Sequence, residues 1–202
     1  MTNVVFDIGN VLIHWDPRAL YAKIFDSEEE VDWFLTHVCN ADWNLEQDRG
    51  RSFEAAIAEA AARHPDYAEA IAAYNHRWHE TILGPIDGTV AILSELKARG
   101  TPLYAITNFN QHKFRETLQR FPFLQPSFRD IVVSGDEGVV KPDPAIYRLL
   151  LDRNGLEAAS CLFIDDSPKN VTGAEAVGMK AHHFTSPEAL RAELVGLRLL
   201  DG

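Results

Sequence analysis

Cysteine is nearly absent from this 202-residue chain, which has only Cys39 and Cys161. Two thiols are too few for the disulfide framework on which small secreted domains depend. Cys161 also lies in the apolar run Cys161-Leu162-Phe163-Ile164, as a buried thiol would. A reducing, cytoplasmic setting is expected. Basic charge is scarce too, because 19 Lys and Arg against 30 Asp and Glu leave a net charge of −11. Nucleic acid and anionic membranes attract basic stripes, so neither is expected as a partner. An anionic small molecule would need a local positive centre. No apolar run approaches the roughly 20 residues that cross a bilayer. Met1-Thr2-Asn3 leads into an apolar run without a basic region or small-residue cleavage site, which predicts neither secretion nor membrane insertion. Internal repeats, low-complexity tracts and long charge runs are likewise missing.

What the chain does have is apolar residue, 46% of the total, enough for one domain with a large insertion or for two small domains. Short branched-apolar runs recur at Val4 to Asp7, Leu103 to Thr107, Ile131 to Ser134 and Cys161 to Asp165, with a fifth at Ala181 to Phe184. Such runs read as strands buried on both faces. Helical spacing fills the gaps at Thr89 to Arg99, Pro144 to Arg153 and Lys169 to Val177. Strand and helix in alternation predict a Rossmann-like three-layer α/β/α architecture around a parallel sheet. The first strand is separated from the second by a long, almost wholly helical interval. It includes the strong helix formers of Glu54 to Ala62 and the amphipathic stretch Tyr67 to Leu83. Residues 16–84 are therefore expected to form an inserted small α-helical domain, with 1–15 and 85–202 forming the sheet domain. Gly84-Pro85 is expected to be the hinge.

Ligands of open parallel sheets bind beyond the carboxyl ends of the strands. Four strands here end in polar residues: Asp7, Thr107-Asn108, Ser134 with Lys141 following, and Asp165-Asp166. Taken singly, each has an ordinary reading. Asp7 suits a turn, Thr107-Asn108 a cap for the helix starting near Gln111, Lys141 a solvated side chain, and Asp165-Asp166-Ser167 an N-terminal cap. Together they fall at the ends of successive βα units and bring carboxylates, a hydroxyl, an amide and one ammonium to one mouth. Crowded carboxylates require a compensating cation, and oxygen-only donors with open positions suit Mg²⁺.

The ordered set Phe6-Asp7-Ile8-Gly9-Asn10-Val11-Leu12, Thr107-Asn108, Val140-Lys141-Pro142 and Ile164-Asp165-Asp166-Ser167-Pro168-Lys169-Asn170 resembles the four motifs of the haloacid dehalogenase-like hydrolase superfamily. The helical interval is similar to the small cap domain of its subfamily I. That resemblance implies a phosphatase in which Asp7 is the nucleophile and forms an aspartyl-phosphate. It further implies Mg²⁺ held by Asp7, the Gly9 carbonyl and Asp166, with Asp165 directly or through water. Thr107, the Asn108 amide and Lys141 would grip the phosphoryl oxygens. The implied substrate is a small phosphorylated metabolite, while the oligomeric state is left open.

One position departs from the family pattern. Most phosphatases of the superfamily carry a second aspartate two residues after the nucleophile, as acid and base, and here that residue is Gly9. The Asp-x-Gly-Asn pattern resembles a bacterial group that includes an α-D-glucose-1-phosphate phosphatase, whose anomeric leaving group makes a smaller demand on an acid. His14, Asp16, Trp43, Glu46 and Arg49 are candidates to replace the missing group, although Glu46 and Arg49 equally suit a helix-end ion pair. Two alternatives stand beside the phosphatase reading. One is a metal-independent 2-haloacid dehalogenase, against which the Asp165-Asp166 pair and Gly9 in place of the usual Tyr both argue. The other is a catalytically weak phosphometabolite-binding protein, motivated by Gly9. His76-x-x-His79 lacks a third metal ligand nearby, and the rings of His182 and His183 are expected on opposite faces of a strand. The four Trp residues are expected mainly in the core of the insertion, with one or two at the substrate mouth.

Overall fold

The computed structural model describes residues 2–201. After β1 (Asn3–Phe6) the chain turns back through β2 (Ile13–Trp15) into α1 (Arg18–Tyr21), α2 (Glu28–His37), α3 (Ala41–Asp48), α4 (Phe53–Arg63) and α5 (Ala68–His76). It returns along β3 (Ile82–Pro85) to α6 (Asp87–Ala98), β4 (Leu103–Thr107) and α7 (Gln111–Arg120). Then follow β5 (Ile131–Val133), α8 (Ser134–Glu137), α9 (Pro144–Asn154), β6 (Cys161–Asp165), α10 (Pro168–Ala176), β7 (Lys180–His183) and α11 (Pro187–Gly196). None of the described helices is long and apolar enough to cross a membrane.

Five strands form one parallel sheet in the order β5-β4-β1-β6-β7. The two-residue period of a strand sends alternate side chains to opposite faces, and because helices cover both, the central strands β4, β1 and β6 are mostly apolar on each. On one face Val4, Phe6, Leu162 and Ile164 pack with Leu93 and Leu96 of α6 and Leu190 and Leu194 of α11. On the other, Val5, Cys161 and Phe163 pack with Ile146, Tyr147 and Leu150 of α9. A Rossmann-like α/β/α core results, as the alternating pattern predicts.

β1 lies at the centre, between β4 and β6, so three strand ends meet at one point. The helix that leaves β4 at this end starts at a polar cap. Asn110 Oδ1 accepts from the His112 and Lys113 amides at the head of α7, so Thr107 and Asn108 are not consumed as that helix's cap. Gly84 and Pro85, expected as the hinge, both belong to β3, which pairs antiparallel with β2. Pro85 tolerates this place because a strand end requires no donor. The turn into β2 needs a left-handed residue, which Asn10 supplies with φ 53°, while its side chain accepts from the Trp15 amide at 2.9 Å. Asn10 thus has a structural reason to follow Gly9.

Candidate active site

Asp7 directly follows β1, and its N–H donates to the Ile164 carbonyl at 2.8 Å, which fixes it beside the end of β6. Thr107 and Asp165 are the last residues of β4 and β6, both fully buried. Lys141 comes from the loop before α9. That loop is pressed against α10 at Gly173, where a Cβ would lie 2.8 Å from the Pro142 carbonyl oxygen, so only glycine permits the approach. Asn108 completes the placement: its Oδ1 accepts from the Lys141 amide at 2.8 Å, and its Nδ2 donates to the Lys141 carbonyl at 3.1 Å.

The Lys141 ammonium is buried and lies 2.8 Å from Asp7 Oδ1. It also donates to Asp165 Oδ2 at 2.7 Å and to the Ile106 carbonyl at 3.1 Å. Burial alone would lower its pKa, but Asp165 and Asp7 outweigh burial and hold it above the ordinary lysine value. Asp7 Oδ1 accepts in addition from the Ile8 amide at 2.7 Å, which leaves Oδ2 without a hydrogen-bond partner among the described residues. Burial pushes the Asp7 carboxyl up to about 7, against the pull of Lys141 and with the repulsion of Asp165. Asp165 spends its oxygens on Lys141, on the Ser167 amide at 2.8 Å and on Asn170 Nδ2 at 3.0 and 3.2 Å. Half-buried Asp166 is raised first by burial and then by Asp165. One oxygen from each of Asp7, Asp165 and Asp166 falls within 4.8 Å of the others. Among the described residues, this cluster of three carboxylates is met by one ammonium, which pairs with Asp7 and Asp165.

These groups open into a cleft of about 210 Å³. Its floor is Asp7, Gly9, Asn10, Asn108 and Asp166; Trp15, Trp78 and Phe109 form an aromatic wall, and Asn44 and Asp48 reach in from α3. Ring centroids in the wall are 6.3 Å apart for Trp15 and Trp78 and 5.9 Å for Trp78 and Phe109. The described backbone gives Gly9 open space, with nothing within 4 Å of a Cβ built there.

The candidates for the missing acid and base are placed elsewhere. Glu46 and Arg49 are exposed and pair with each other at 3.5 Å. His14 is exposed, Asp16 caps the turn before α1 through the Arg18 amide, and Trp43 packs against Phe53 and Tyr74. His76 and His79 are both exposed. Trp15 and Trp78 are the tryptophans at the mouth, whereas Trp33 is 40% exposed. The residues that sequence reasoning missed are Asn44 and Asp48. Their i, i+4 spacing, closed by an Asn44 Nδ2 to Asp48 Oδ2 hydrogen bond of 3.0 Å, marks one face of α3. Glu46 and Arg49 stand on another face.

Comparison with known proteins bears on the family and the fold. A sesquiterpene phosphatase of Aspergillus oryzae is 28% identical over 190 residues, covering 94% of this chain and 93% of that protein. A predicted HAD-like family hydrolase from Porphyromonas gingivalis shares the fold with a TM-score of 0.72 at 22% identity, over 98% of both chains. The magnesium complex of a HAD family enzyme from Bacteroides thetaiotaomicron does so with a TM-score of 0.69 at 19% identity, over 92% of this chain and 94% of that one. The model of the haloacid dehalogenase-like hydrolase family matches residues 1–178. The chain is a member of the haloacid dehalogenase-like hydrolase family.

Proposed function

We propose that this chain is a Mg²⁺-dependent phosphomonoesterase that hydrolyses a small organic phosphate through an aspartyl-phosphate on Asp7. The observation that carries this reading is the charge balance at the strand ends, where Asp7, Asp165 and Asp166 cluster and, among the described residues, Lys141 is the one ammonium paired with any of them. Two negative charges are left over, which one divalent cation offsets, and an all-oxygen donor set suits Mg²⁺. Asp7, the Gly9 carbonyl and Asp166 would hold it. Asp165, whose oxygens are already engaged, would act through water. When bound, Mg²⁺ supplies the charge neutralisation that lets an anionic nucleophile meet an anionic phosphate.

The residues of the chain then divide the work. The free carboxylate oxygen of Asp7 attacks phosphorus, the ester P–O bond breaks, and water later cleaves the acyl phosphate. The Thr107 hydroxyl, the Asn108 amide and Lys141 hold the phosphoryl oxygens and the charge spread over them in transfer. The helical segment of residues 16–84 acts as a cap that selects the substrate and excludes water from the first step. The aromatic wall favours an organic group with an apolar or CH-rich face. A sugar phosphate such as α-D-glucose 1-phosphate fits that description. So does an apolar-chain monophosphate, of the kind the name of the Aspergillus relative implies.

A dehalogenase needs no cation and would leave the surplus carboxylate charge uncompensated. A panel of phosphomonoesters including both substrate types, with Mg²⁺ and with EDTA, tests the proposal. Phosphate release that disappears with EDTA and returns with Mg²⁺ is expected. Turnover that survives exhaustive chelation overturns the metal-dependent mechanism, while tight beryllofluoride binding without turnover of any ester favours a binding protein.

A further inference from the structure

Asp48 ends α3, is 8% exposed and lines the same cleft as Asp7. No Lys, Arg or His among the described residues pairs with it. Its Oδ2 accepts from Asn44 Nδ2, and Asn44 Oδ1 in turn accepts from the Tyr74 hydroxyl at 2.7 Å. This chain of hydrogen bonds runs from the core of the helical segment to the mouth. A buried carboxyl without a cationic partner favours its protonated form. Burial pushes Asp48 up to about 7, opposed by the Asn110 amide and Lys141 and assisted by Asp7.

The backbone around Asp48 is pinned to the sheet domain. Ser134 Oγ donates to the Asp48 carbonyl, and Asn110 Nδ2 donates to the Gln47 carbonyl at 3.2 Å. Gly50, at φ 105°, brings its Cα close to the Gly135 carbonyl, which would lie 3.0 Å from a Cβ there. These contacts hold the Asp48 backbone against α8 and the head of α7.

Resting on the phosphatase reading, we propose that Asp48 is the general acid and base of the reaction, working from the helical segment in place of the aspartate that Gly9 lacks. In the first step Asp7 forms its bond to phosphorus, the P–O bond to the leaving group breaks, and the Asp48 proton passes to the departing oxygen, giving an alcohol. In the second, the Asp48 carboxylate takes a proton from water as the water oxygen attacks phosphorus. The Asp7–phosphorus bond then breaks, phosphate leaves, and both side chains return to their starting states. Asn44 is the positioning residue for this exchange, and the ionisable groups facing Asp48 are Asp7 and Lys141 of the sheet domain and Tyr74 of the helical segment.

The test compares the full chain, Asp48→Asn and the double variant Asp48→Asn with Gly9→Asp, all with Mg²⁺, on 4-nitrophenyl phosphate and on an unactivated alkyl phosphate. Nitrophenolate departs without a proton, whereas an alkoxide needs one. Asp48→Asn is expected to lower kcat/KM for the alkyl ester by about 10²- to 10⁴-fold and for the aryl ester by less than about tenfold. With the base missing from the second step, a burst of nitrophenolate and a phosphoryl group retained on Asp7 are also expected. Gly9→Asp, for which the backbone leaves room, should restore the alkyl ester reaction. Equal losses on both esters, without burst or rescue, overturn the role of Asp48 and leave the phosphatase reading standing, since the wild type still turns over. A wild type inactive on both esters overturns that reading and this proposal together. Should Asp48→Asn fail to fold, the wild type alone decides: kcat/KM must fall at high pH for the alkyl ester only, and identical pH profiles for the two esters overturn the proposal.

Discussion

Asn108 and Lys141 hold one another by two hydrogen bonds, from the Lys141 amide to Asn108 Oδ1 at 2.8 Å and from Asn108 Nδ2 to the Lys141 carbonyl at 3.1 Å. A residue from the end of β4 thereby fixes, across the mouth of the sheet, the backbone that carries the only ammonium contacting Asp7 among the described residues. The positive centre that an anionic ligand of an acidic chain would need is positioned by this exchange.

Asn108→Ala removes both bonds and leaves an amide and a carbonyl of Lys141 without those partners. Stability should fall by about 1–3 kcal/mol, measured by urea denaturation. Because small displacements of a catalytic group are costly, kcat should fall by roughly a hundredfold. Equal activity in the variant would show that Lys141 holds its place without Asn108.

Asp7→Asn keeps the size of the side chain and an oxygen for the Ile8 amide, and Lys141 keeps Asp165. The fold should lose no more than about 1 kcal/mol, because the substitution removes one of three crowded carboxylates. Activity should fall by at least about a thousandfold, since an amide oxygen cannot form the acyl phosphate. Melting temperature and single-turnover phosphate release read the two effects separately. Retention of most of the rate would remove Asp7 from the role of nucleophile.

Mg²⁺ binding has a readout besides turnover. A cation that binds only the folded state stabilises it by about 2.7 kcal/mol at a hundredfold excess over its dissociation constant. Titrating Mg²⁺ should therefore raise the melting temperature of the wild type, and Asp166→Ala should abolish most of the rise. An Asp166→Ala response equal to that of the wild type would place the cation elsewhere.

The strand-end residues were legible because strand periodicity and βα alternation are local signals. Val4, Phe6, Leu162 and Ile164 face one helical layer and Val5, Cys161 and Phe163 the other, so the apolar runs reveal a doubly covered sheet and the polar residue after each run marks the mouth. The placement of Asp7, Thr107 and Asp165 follows from that pattern, whereas Lys141 sits in the loop before α9, beyond the reach of strand periodicity. Asp48 was not legible in the same way. Its position depends on the docking of α3 against α8 through Ser134, and on Gly50 passing close to Gly135, contacts between residues more than 80 positions apart. Asn44 and Asp48, four residues apart, stand on a face of α3 different from that of Glu46 and Arg49, but the sequence does not say which face meets the cleft. The pairing of Gly84 and Pro85 with β2 was not legible, because the three-residue strand β2, with exposed His14 at its centre, carries too short a pattern to reveal it.

Asp48 also makes a prediction about stability. An ordinary aspartate loses its proton near 3.8, whereas burial holds the Asp48 proton in the folded state up to about 7. Between those values the folded state binds more protons than the unfolded chain, so stability falls as pH rises. The contribution is fully present below about pH 4 and is lost as pH climbs through 7. At about 1.4 kcal/mol per unit, the whole interval sets an upper bound of about 4 kcal/mol, and relaxation around the charged form should leave roughly 1–3. Asp48→Asn cannot titrate. Relative to the wild type in EDTA, the variant should therefore gain roughly 1–3 kcal/mol between pH 4.5 and pH 8, with Asp7 acting alike in both proteins. Urea denaturation at the two pH values measures the difference, and a stability gap independent of pH would mean that Asp48 is already ionised in the folded protein at the lower value.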